Sequence, residues 1–485
     1  MGTETSKWDM LTARQHLVDA LWSLVEDHPV VAALVAHWTS EIFQHGIANK
    51  GRVLRETKSF ARLLVRSGRS MCQLLGRACA EKDEPCDVLI VPLTGRSEMM
   101  AVSQMLVNAI LEEDHDVRVG TVELGKSWLR QSTSRLNKRV VNYHLSLNNS
   151  FEWEYLRDAD ALLTLIGPRF EKDDFLADWF RQRWPEQRWE IARFLKKVEY
   201  VRGWLEKIEC KVVITPNEQH ASGSLFVTAA KMNGLMCHQI LHGTPARLYW
   251  PFVSDETWVW GETSRQAFIE YGAPSDRLPI IGNLEITHWL RTVRDTDKTC
   301  AGTSKATVRN FLFLSQLHGT NLYDAEGFKQ AFDWLAKVLS SQKTLWQLTV
   351  RLHPSDKKDA RRFIRDKVGF LGERLQFSEG SSPLMEDARN ADFACTCSST
   401  AVLTPLVIGV PCALLWTKDM DRLYGRPFLD AKHVATNPQE LNSIMSRKEN
   451  RVSSELTVTT MLRNIKTADK VAARHVLECL CSLTH

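Results

Sequence analysis

The sequence predicts an α/β protein with two consecutive doubly wound domains behind a helical N-terminal prefix. Two series of short apolar runs, each typical of a buried strand, alternate with segments of helical period. A polar stretch without period, residues 293–309, separates the two series and is predicted to be a linker. Residues 1–80 carry apolar side chains at helical spacing, such as Leu17, Leu21 and Leu24, which predicts the prefix.

The first domain is predicted over residues 81–292. It opens as a βαβ unit, and its helix is predicted to run from about Ser97 to Glu113. Its strands are predicted at residues 87–93, 117–122, 161–166, 211–215, 236–241 and 257–260.

The second domain is predicted over residues 310–436, and a helical tail over 437–485. Its strands are predicted at residues 310–315, 347–352, 375–377, 392–397 and 412–416. Strands that alternate with helices favour a parallel sheet, so both domains are predicted to be Rossmann-like.

Composition and hydropathy argue against a nucleic-acid-binding protein, a disulfide-rich protein and a membrane-spanning protein. The chain has 485 residues, 44% hydrophobic and 25% charged, with a net charge of +4 that does not argue for nucleic acid. Its 11 cysteines form no Cys-x-x-Cys pair, which favours buried thiols in a reducing cytosol. No run approaches the ~18 apolar residues of a membrane-spanning helix. We expect a cytoplasmic protein with at most a peripheral hold on the inner membrane.

Two loops of the second domain carry residues suited to phosphate. His353 and Pro354 follow one predicted strand, and Ser398, Ser399 and Thr400 follow another. A predicted helix starts directly after Thr400, and its first turn would offer backbone N–H groups beside the hydroxyls. Ligands of open α/β sheets bind outside the carboxyl ends of the strands. The sequence therefore predicts a nucleotide phosphate site formed by these two loops.

This pair of motifs resembles the His-Pro and Ser-Ser/Thr motifs of bacterial sialyltransferases, polysialyltransferases and capsule-polymer transferases. These enzymes have the two-domain fold called GT-B. In addition, the run from His242 to Pro245 (His-Gly-Thr-Pro) is similar to one in CDP-glycerol polymer transferases of teichoic-acid synthesis.

The resemblance implies a glycosyltransferase, of inverting mechanism, that needs no cofactor. It places the nucleotide-sugar donor on the C-terminal domain and a glycan or glycolipid acceptor on the N-terminal domain. The donor would be a CMP-activated sugar such as sialic acid, Kdo or a related ulosonic acid. The alternatives are a CDP-glycerol-type polyol-phosphate transferase and a non-catalytic glycan-binding protein on the same fold.

The resemblance also implies roles for single residues. His353 would pair with the donor phosphate and help it leave, while Pro354 and the hydroxyls of Ser398, Ser399 and Thr400 complete the cradle. Ser315, at the end of the first strand of the second domain, would touch phosphate or sugar.

Three residues compete to be the general base on the acceptor hydroxyl. Glu218 is narrowly preferred, because a carboxylate base is the commoner choice within this resemblance. His242 is an alternative, since an imidazole titrates near neutral pH. Glu98 is the third candidate.

Two further observations bear on the choice of donor nucleotide and on whether a metal ion is expected. Thr404 stands where UDP-sugar enzymes of this fold carry a glutamate for the ribose, and its presence favours a cytidylate donor. Asp419 and Asp421 form the one Asp-x-Asp pair that follows a predicted strand of the second domain. Lys418 and Arg422 flank that pair and favour a solvated loop, so no metal is expected there.

Residues 175–208 are basic and rich in tryptophan, with Trp179, Trp184, Trp189 and Trp204. Such a segment suits contact with an anionic membrane surface or an acidic polymer. The alternative is a helical insertion whose tryptophans pack on the core.

Overall fold

The structure is a computed structural model, and its chain divides into two compact units. Unit 1 comprises residues 1–240, 251–257 and 473–485, and unit 2 comprises residues 241–250 and 258–472. The residues that the structure describes are 17–35 without 22, 26 and 27, then 84–92, 97–124, 139–145, 153–170, 174–218, 221–246, 249–296, 308–315, 325–342, 345–353, 356, 358–378, 384–447 and 462–483.

The sheet of unit 1 has the strand order β3-β2-β1-β4-β5-β6, with parallel pairing from β3 to β5. This is the order of doubly wound nucleotide-binding folds, and it reverses direction between β1 and β4. The strands are β1 (Val88–Ile90), β2 (Val119–Leu124), β3 (Val140–Leu145), β4 (Val212–Thr215), β5 (Met236–Ile240) and β6 (Glu256–Trp258).

Helices cover this sheet, so its central strands are continuous apolar runs whose side chains are all buried. The helices are α1 (Ser97–Glu113), α2 (Glu154–Ile166), α3 (Asp174–Lys207) and α4 (Ala221–Met232). Residues 17–21, 23–25 and 29–35 are also helical. Leu17 and Leu21 are fully buried in the core of this unit, as the helical spacing of the prefix predicts.

The sheet of unit 2 repeats the same topology. Its order is β12-β11-β10-β7-β8-β9, and every pairing in it is parallel. Read from β9, this is again the order 3-2-1-4-5-6, with the reversal between β7 and β10. The strands are β7 (Val308–Leu314), β8 (Leu345–Arg351), β9 (Leu375–Ser378), β10 (Phe393–Thr396), β11 (Cys412–Leu415) and β12 (Val434–Ala435). Two tandem Rossmann-like sheets confirm the predicted fold class.

The helices of unit 2 pack amphipathic faces on its sheet. In the helix Ala325–Ser341, the buried residues Phe328, Phe332 and Leu335 recur three or four residues apart. These helices are α5 (Glu262–Glu270), α6 (Leu284–Thr296), α7 (Ala325–Ser341), α8 (Lys358–Val368), α9 (Leu384–Arg389), α10 (Leu403–Val407), α11 (Lys418–Tyr424), α12 (Pro438–Ser446) and α13 (Ala468–Ser482), whose last residues belong to unit 1.

Some predicted elements differ from the observed ones. The strand predicted at residues 161–166 is wrong, because this run is the end of α2. Its buried residues Ala159, Leu163 and Ile166 follow a helical spacing that a six-residue window does not reveal. Strands β3 and β12 are not among the strands predicted from the sequence. Near the predicted linker, α6 extends to Thr296 and β7 begins at Val308.

The boundary between the units also differs from the predicted domain boundary. Residues 258–292 cluster with unit 2, although the sequence groups them with the first domain. Specific bonds hold them there: Tyr271 donates a hydrogen bond to the carbonyl of Tyr424 at 2.6 Å, and Arg291 pairs with Asp469 at 2.7 Å.

The tryptophan-rich segment forms α3. Trp204 is buried against Tyr143 and Phe226, with edge-on rings whose centroids lie 5.0 and 6.3 Å away. Trp184 and Trp189 are partly buried against the same core. These three rings favour the packing alternative, whereas the side chain of Trp179 lies outside the described residues. None of the described helices is long and apolar enough to cross a membrane.

Candidate functional site

The loops predicted to bind phosphate lie at one edge of the sheet of unit 2. Ser315 directly follows β7, His353 comes two residues after β8, and Ser398 comes two residues after β10. Because β8, β7 and β10 are parallel neighbours, these residues share the carboxyl edge. The reversal of strand order between β7 and β10 is where open α/β sheets form a ligand-binding crevice.

The two strands at this reversal are joined by a side chain. The Thr396 hydroxyl donates to the carbonyl of Leu314 at 2.8 Å and accepts from the Ser399 N–H at 3.2 Å. Ser399 in turn caps the next helical turn, its hydroxyl accepting from the Ala401 N–H at 3.3 Å. A 3₁₀ turn, Thr400–Val402, then leads into α10. The sequence Thr-Cys-Ser-Ser-Thr, residues 396–400, thus forms a strand–turn–helix corner, which we call the serine corner.

The serine hydroxyls of this corner differ in exposure from the threonine. Ser398 and Ser399 are both buried, whereas Thr400 is only partly buried. The Ser398 hydroxyl donates to the hydroxyl of Tyr424 at 3.3 Å. Ser398 therefore stabilises the loop from inside, and Thr400 carries the most exposed of the three hydroxyls.

The loop of His353 is held by Asp356. One carboxylate oxygen of Asp356 accepts from the Ser315 hydroxyl at 2.7 Å and from the His353 N–H at 3.0 Å. The Asp356 N–H donates to the His353 carbonyl at 2.8 Å, which closes a turn. The half-buried imidazole of His353 is thereby positioned beside the end of β7. Pro354 lies outside the described residues.

Asp356 holds the His353 loop in place and is not among the residues predicted from the sequence. A signal for it was present, because Pro-Ser-Asp after a strand is typical turn composition, in which an aspartate side chain bonds the nearby backbone. Its bond to Ser315 could not be foreseen, since these residues lie 41 positions apart.

The His-Gly-Thr-Pro run belongs to unit 2 and contacts the serine corner. The Thr244 hydroxyl donates to the carbonyl of Ser398 at 2.7 Å, a buried bond between residues 154 positions apart. His242, two residues earlier, is half-buried and lies edge-on to Tyr249, with 6.2 Å between ring centroids. Two motifs that the sequence shows as separate are therefore joined by a direct bond.

Glu218 occupies a different environment from the one expected of a general base. Its side chain is 0% exposed, and its two carboxylate oxygens accept from the N–H groups of Val253 and Ser254, each at 2.8 Å. This geometry favours a structural role, in which Glu218 anchors residues 251–257 within unit 1. Glu98 lies in the first turn of α1, and its side chain lies outside the described residues.

In the Asp419/Asp421 pair, Asp421 makes a hydrogen bond within the protein. Asp421 accepts a hydrogen bond from the indole N–H of Trp416, while the Asp419 side chain is not among those described. Thr404 is buried inside α10, so position 404 presents no carboxylate to a ribose.

The chain matches no protein-family model and no curated protein. Among solved structures, a putative UDP-N-acetylglucosamine 2-epimerase from Listeria monocytogenes is similar at 14% identity and TM-score 0.48, covering 83% of this chain and 97% of the other. A lipopolysaccharide outer core galactosyltransferase is similar at 14% identity and TM-score 0.47, covering 80% and 99%. A glycosyltransferase from Rickettsia africae is similar at 10% identity and TM-score 0.43, covering 82% and 97%.

Proposed function

We propose that this protein is a nucleotide-sugar-dependent glycosyltransferase whose donor phosphate binds at the β7–β10 reversal in unit 2. One observation carries the proposal. An imidazole lies at the carboxyl end of β8, and a helix-starting turn with a partly exposed hydroxyl lies at the carboxyl end of β10, the two strands that flank β7. This edge is the usual ligand position of the fold, and these groups are suited to an anion.

Each group has a definite part in this proposal. His353 pairs with the phosphate and stabilises the negative charge that develops as the sugar leaves. The backbone N–H and the hydroxyl of Thr400, at the start of the turn, bind phosphate oxygens. Asp356 and Ser315 keep the His353 loop in place through the bonds described above.

The nucleotide is proposed to be cytidylate, and the sugar a sialic acid, Kdo or a related ulosonic acid. The buried Thr404 supports this choice, since a UDP-sugar enzyme of this fold would offer a glutamate to the ribose at that position. The acceptor is proposed to be a glycan or glycolipid hydroxyl.

His242 is our proposed general base. Its side chain is partly exposed, and its loop is bonded to the serine corner through Thr244. It therefore lies in the same unit as the groups proposed to bind phosphate. Glu218 is less suited, because both of its carboxylate oxygens already accept backbone bonds.

A second candidate is transfer of a polyol phosphate from a CDP-linked donor. The contact of the His-Gly-Thr-Pro loop with the serine corner favours it, because the two motifs would then act on one phosphate-bearing donor. The same residues serve both candidates, and only the donor differs.

The test is a ligand panel on the full chain. We expect CMP or CDP to raise the thermal midpoint more than UDP does, since a ligand at a hundredfold excess over its Kd stabilises by ~2.7 kcal/mol. CMP-linked sugars and CDP-glycerol are then supplied as donors with glycan acceptors, and product is followed by mass spectrometry.

Substitutions test whether the nucleotide binds at the proposed site. His353→Ala and Thr400→Ala should lose most of the nucleotide shift while keeping the unliganded midpoint. His242→Gln should keep the shift and lose turnover by roughly 10²–10⁴-fold. His115→Ala, an exposed histidine in unit 1, is the matched control. A larger shift with UDP would overturn the cytidylate assignment, and shifts unchanged in His353→Ala would overturn the site.

A further inference from the structure

A group of three side chains in unit 1 combines the ligand chemistry of a transition-metal centre. His238 lies on β5, Glu256 on β6, and His475 on the part of α13 that belongs to unit 1. One carboxylate oxygen of Glu256 lies 3.0 Å from Nδ1 of His238 and 2.6 Å from Nε2 of His475. The ligand atoms of this His–Glu–His cluster all lie within 4.8 Å of one another.

We propose that the His–Glu–His cluster binds a divalent transition-metal ion of the zinc class and clips the end of α13 onto the first sheet. Two imidazoles and one carboxylate form a donor set that zinc uses in proteins, at about 2.0–2.1 Å from each atom. Small side-chain rotations bring three atoms this close together to such distances.

The exposure and the charge of the His–Glu–His cluster suit a bound metal ion. His238 is fully buried, whereas the side chains of Glu256 and His475 are 21% and 22% exposed, which leaves a solvent path to the cluster. The Glu256 oxygen that faces both imidazoles supplies the anionic ligand of the set.

The fourth coordination position is left to water. Cys479 follows His475 by four residues on α13, but its sulfur is not among the ligand atoms that lie within 4.8 Å of one another. Zinc sites with three protein ligands commonly keep a water in the fourth position.

The experiment uses the purified full chain and zinc chloride alone. The protein is stripped with chelator, loaded, freed of loose metal by gel filtration, and its zinc content is measured. We expect one zinc per chain and a rise of about 5 °C or more in the thermal midpoint. His475→Ala and Glu256→Gln should each lose the retained zinc and the rise.

Arg474→Ala is the matched control, since Arg474 is the neighbour of His475 on α13 and pairs instead with Glu113 at 3.2 Å. It should keep both the zinc and the shift. Less than about 0.3 zinc per wild-type chain, or equal retention by His475→Ala, would overturn the proposal and leave a hydrogen-bonded triad.

Discussion

At the scale of single residues, the functional group of Glu218 and its exposure to solvent favour different roles. Glu218 has the functional group of a general base and lies after a strand at a strand-order reversal. Its burial and its two backbone bonds nevertheless favour a structural role. His242, His353 and Thr400 keep partly exposed side chains, as their proposed roles require.

Replacing Glu218 by glutamine separates the two roles. The amide keeps the shape but places an N–H₂ group against one of two backbone donors, which leaves a buried bond unmade at a cost of about 1–3 kcal/mol. We expect Glu218→Gln to lower the free energy of unfolding in urea by that amount. Glu262→Gln, an exposed carboxylate on α5, should leave it unchanged. Normal stability together with lost turnover would restore Glu218 as the catalytic base.

At the scale of elements, both sheets depend on tight turns from the end of a strand into the next helix. In unit 1 the turn between β4 and α4 passes so close to the helix that a Cβ on Gly223 would lie 1.9 Å from the carbonyl oxygen of Asn217. This approach requires glycine, because a backbone atom cannot yield as a flexible side chain can. In unit 2 the equivalent corner is held by hydroxyl bonds instead.

Alanine substitutions of two glycines in helices of unit 1 are therefore expected to change the unfolding free energy in opposite directions. Gly223→Ala forces the turn and the helix apart, and we expect a loss of about 1–3 kcal/mol in unfolding free energy. Gly203→Ala lies in α3 with no atom within 4 Å of the added methyl, and it should gain about 0.5–1 kcal/mol. Thermal unfolding of both variants measures the difference. Equal midpoints would show that the turn relaxes freely.

The amino edge of the first sheet predicts a pH dependence. Asp87 lies directly before β1, accepts from the Arg118 N–H at 3.0 Å and pairs with Lys211 at 3.2 Å. Burial would raise the pKa of Asp87, but the bonds from Arg118 and Lys211 outweigh it and hold this pKa below its usual value.

A carboxyl whose folded pKa is lowered contributes stability above its unfolded pKa, about 3.9, and loses it as pH falls through the folded value. Asp87→Asn should thus cost about 1–2 kcal/mol at pH 7. The difference from wild type should shrink below about pH 4. Urea titrations at both pH values measure it, and a difference independent of pH would contradict the assignment.

At the scale of the whole molecule, the end of the chain is fastened by specific polar bonds. Arg291 of α6 makes two parallel bonds of 2.7 Å to the carboxylate of Asp469, in the first turn of α13. Such a fork is among the stronger ion-pair geometries, and the Asp469 side chain is only 3% exposed. Both residues belong to unit 2, so the pair attaches the start of α13 there.

Removing the arginine leaves a buried carboxylate without its partner. We expect Arg291→Ala to lower the unfolding free energy by about 1–3 kcal/mol, less than for a fully buried pair because Arg291 is itself 43% exposed. Lys470→Ala, an exposed neighbour on α13, should have no measurable effect. Limited proteolysis should release the tail faster only in Arg291→Ala. Equal cleavage of the two variants would contradict this role.

The sequence by itself determined the fold class and the position of His353 and Ser398–Thr400 at the carboxyl ends of strands in the second sheet. Buried parallel strands are continuous apolar runs, and strand-terminal His353 and Ser398–Thr400 stand out against them because a polar group after such a run must lie at a sheet edge. These signals are local, so they survive in a linear chain.

Only the tertiary structure decided which residues meet. The bonds from Thr244 to Ser398, from Ser315 to Asp356 and from His475 to Glu256 join residues 154, 41 and 219 positions apart. Burial of Glu218 likewise depends on residues 251–257, which pack onto it from further along the chain. A sequence pattern reports what each segment offers. The order in which strands pair sets which segments become neighbours, and that order follows from packing of the whole sheet.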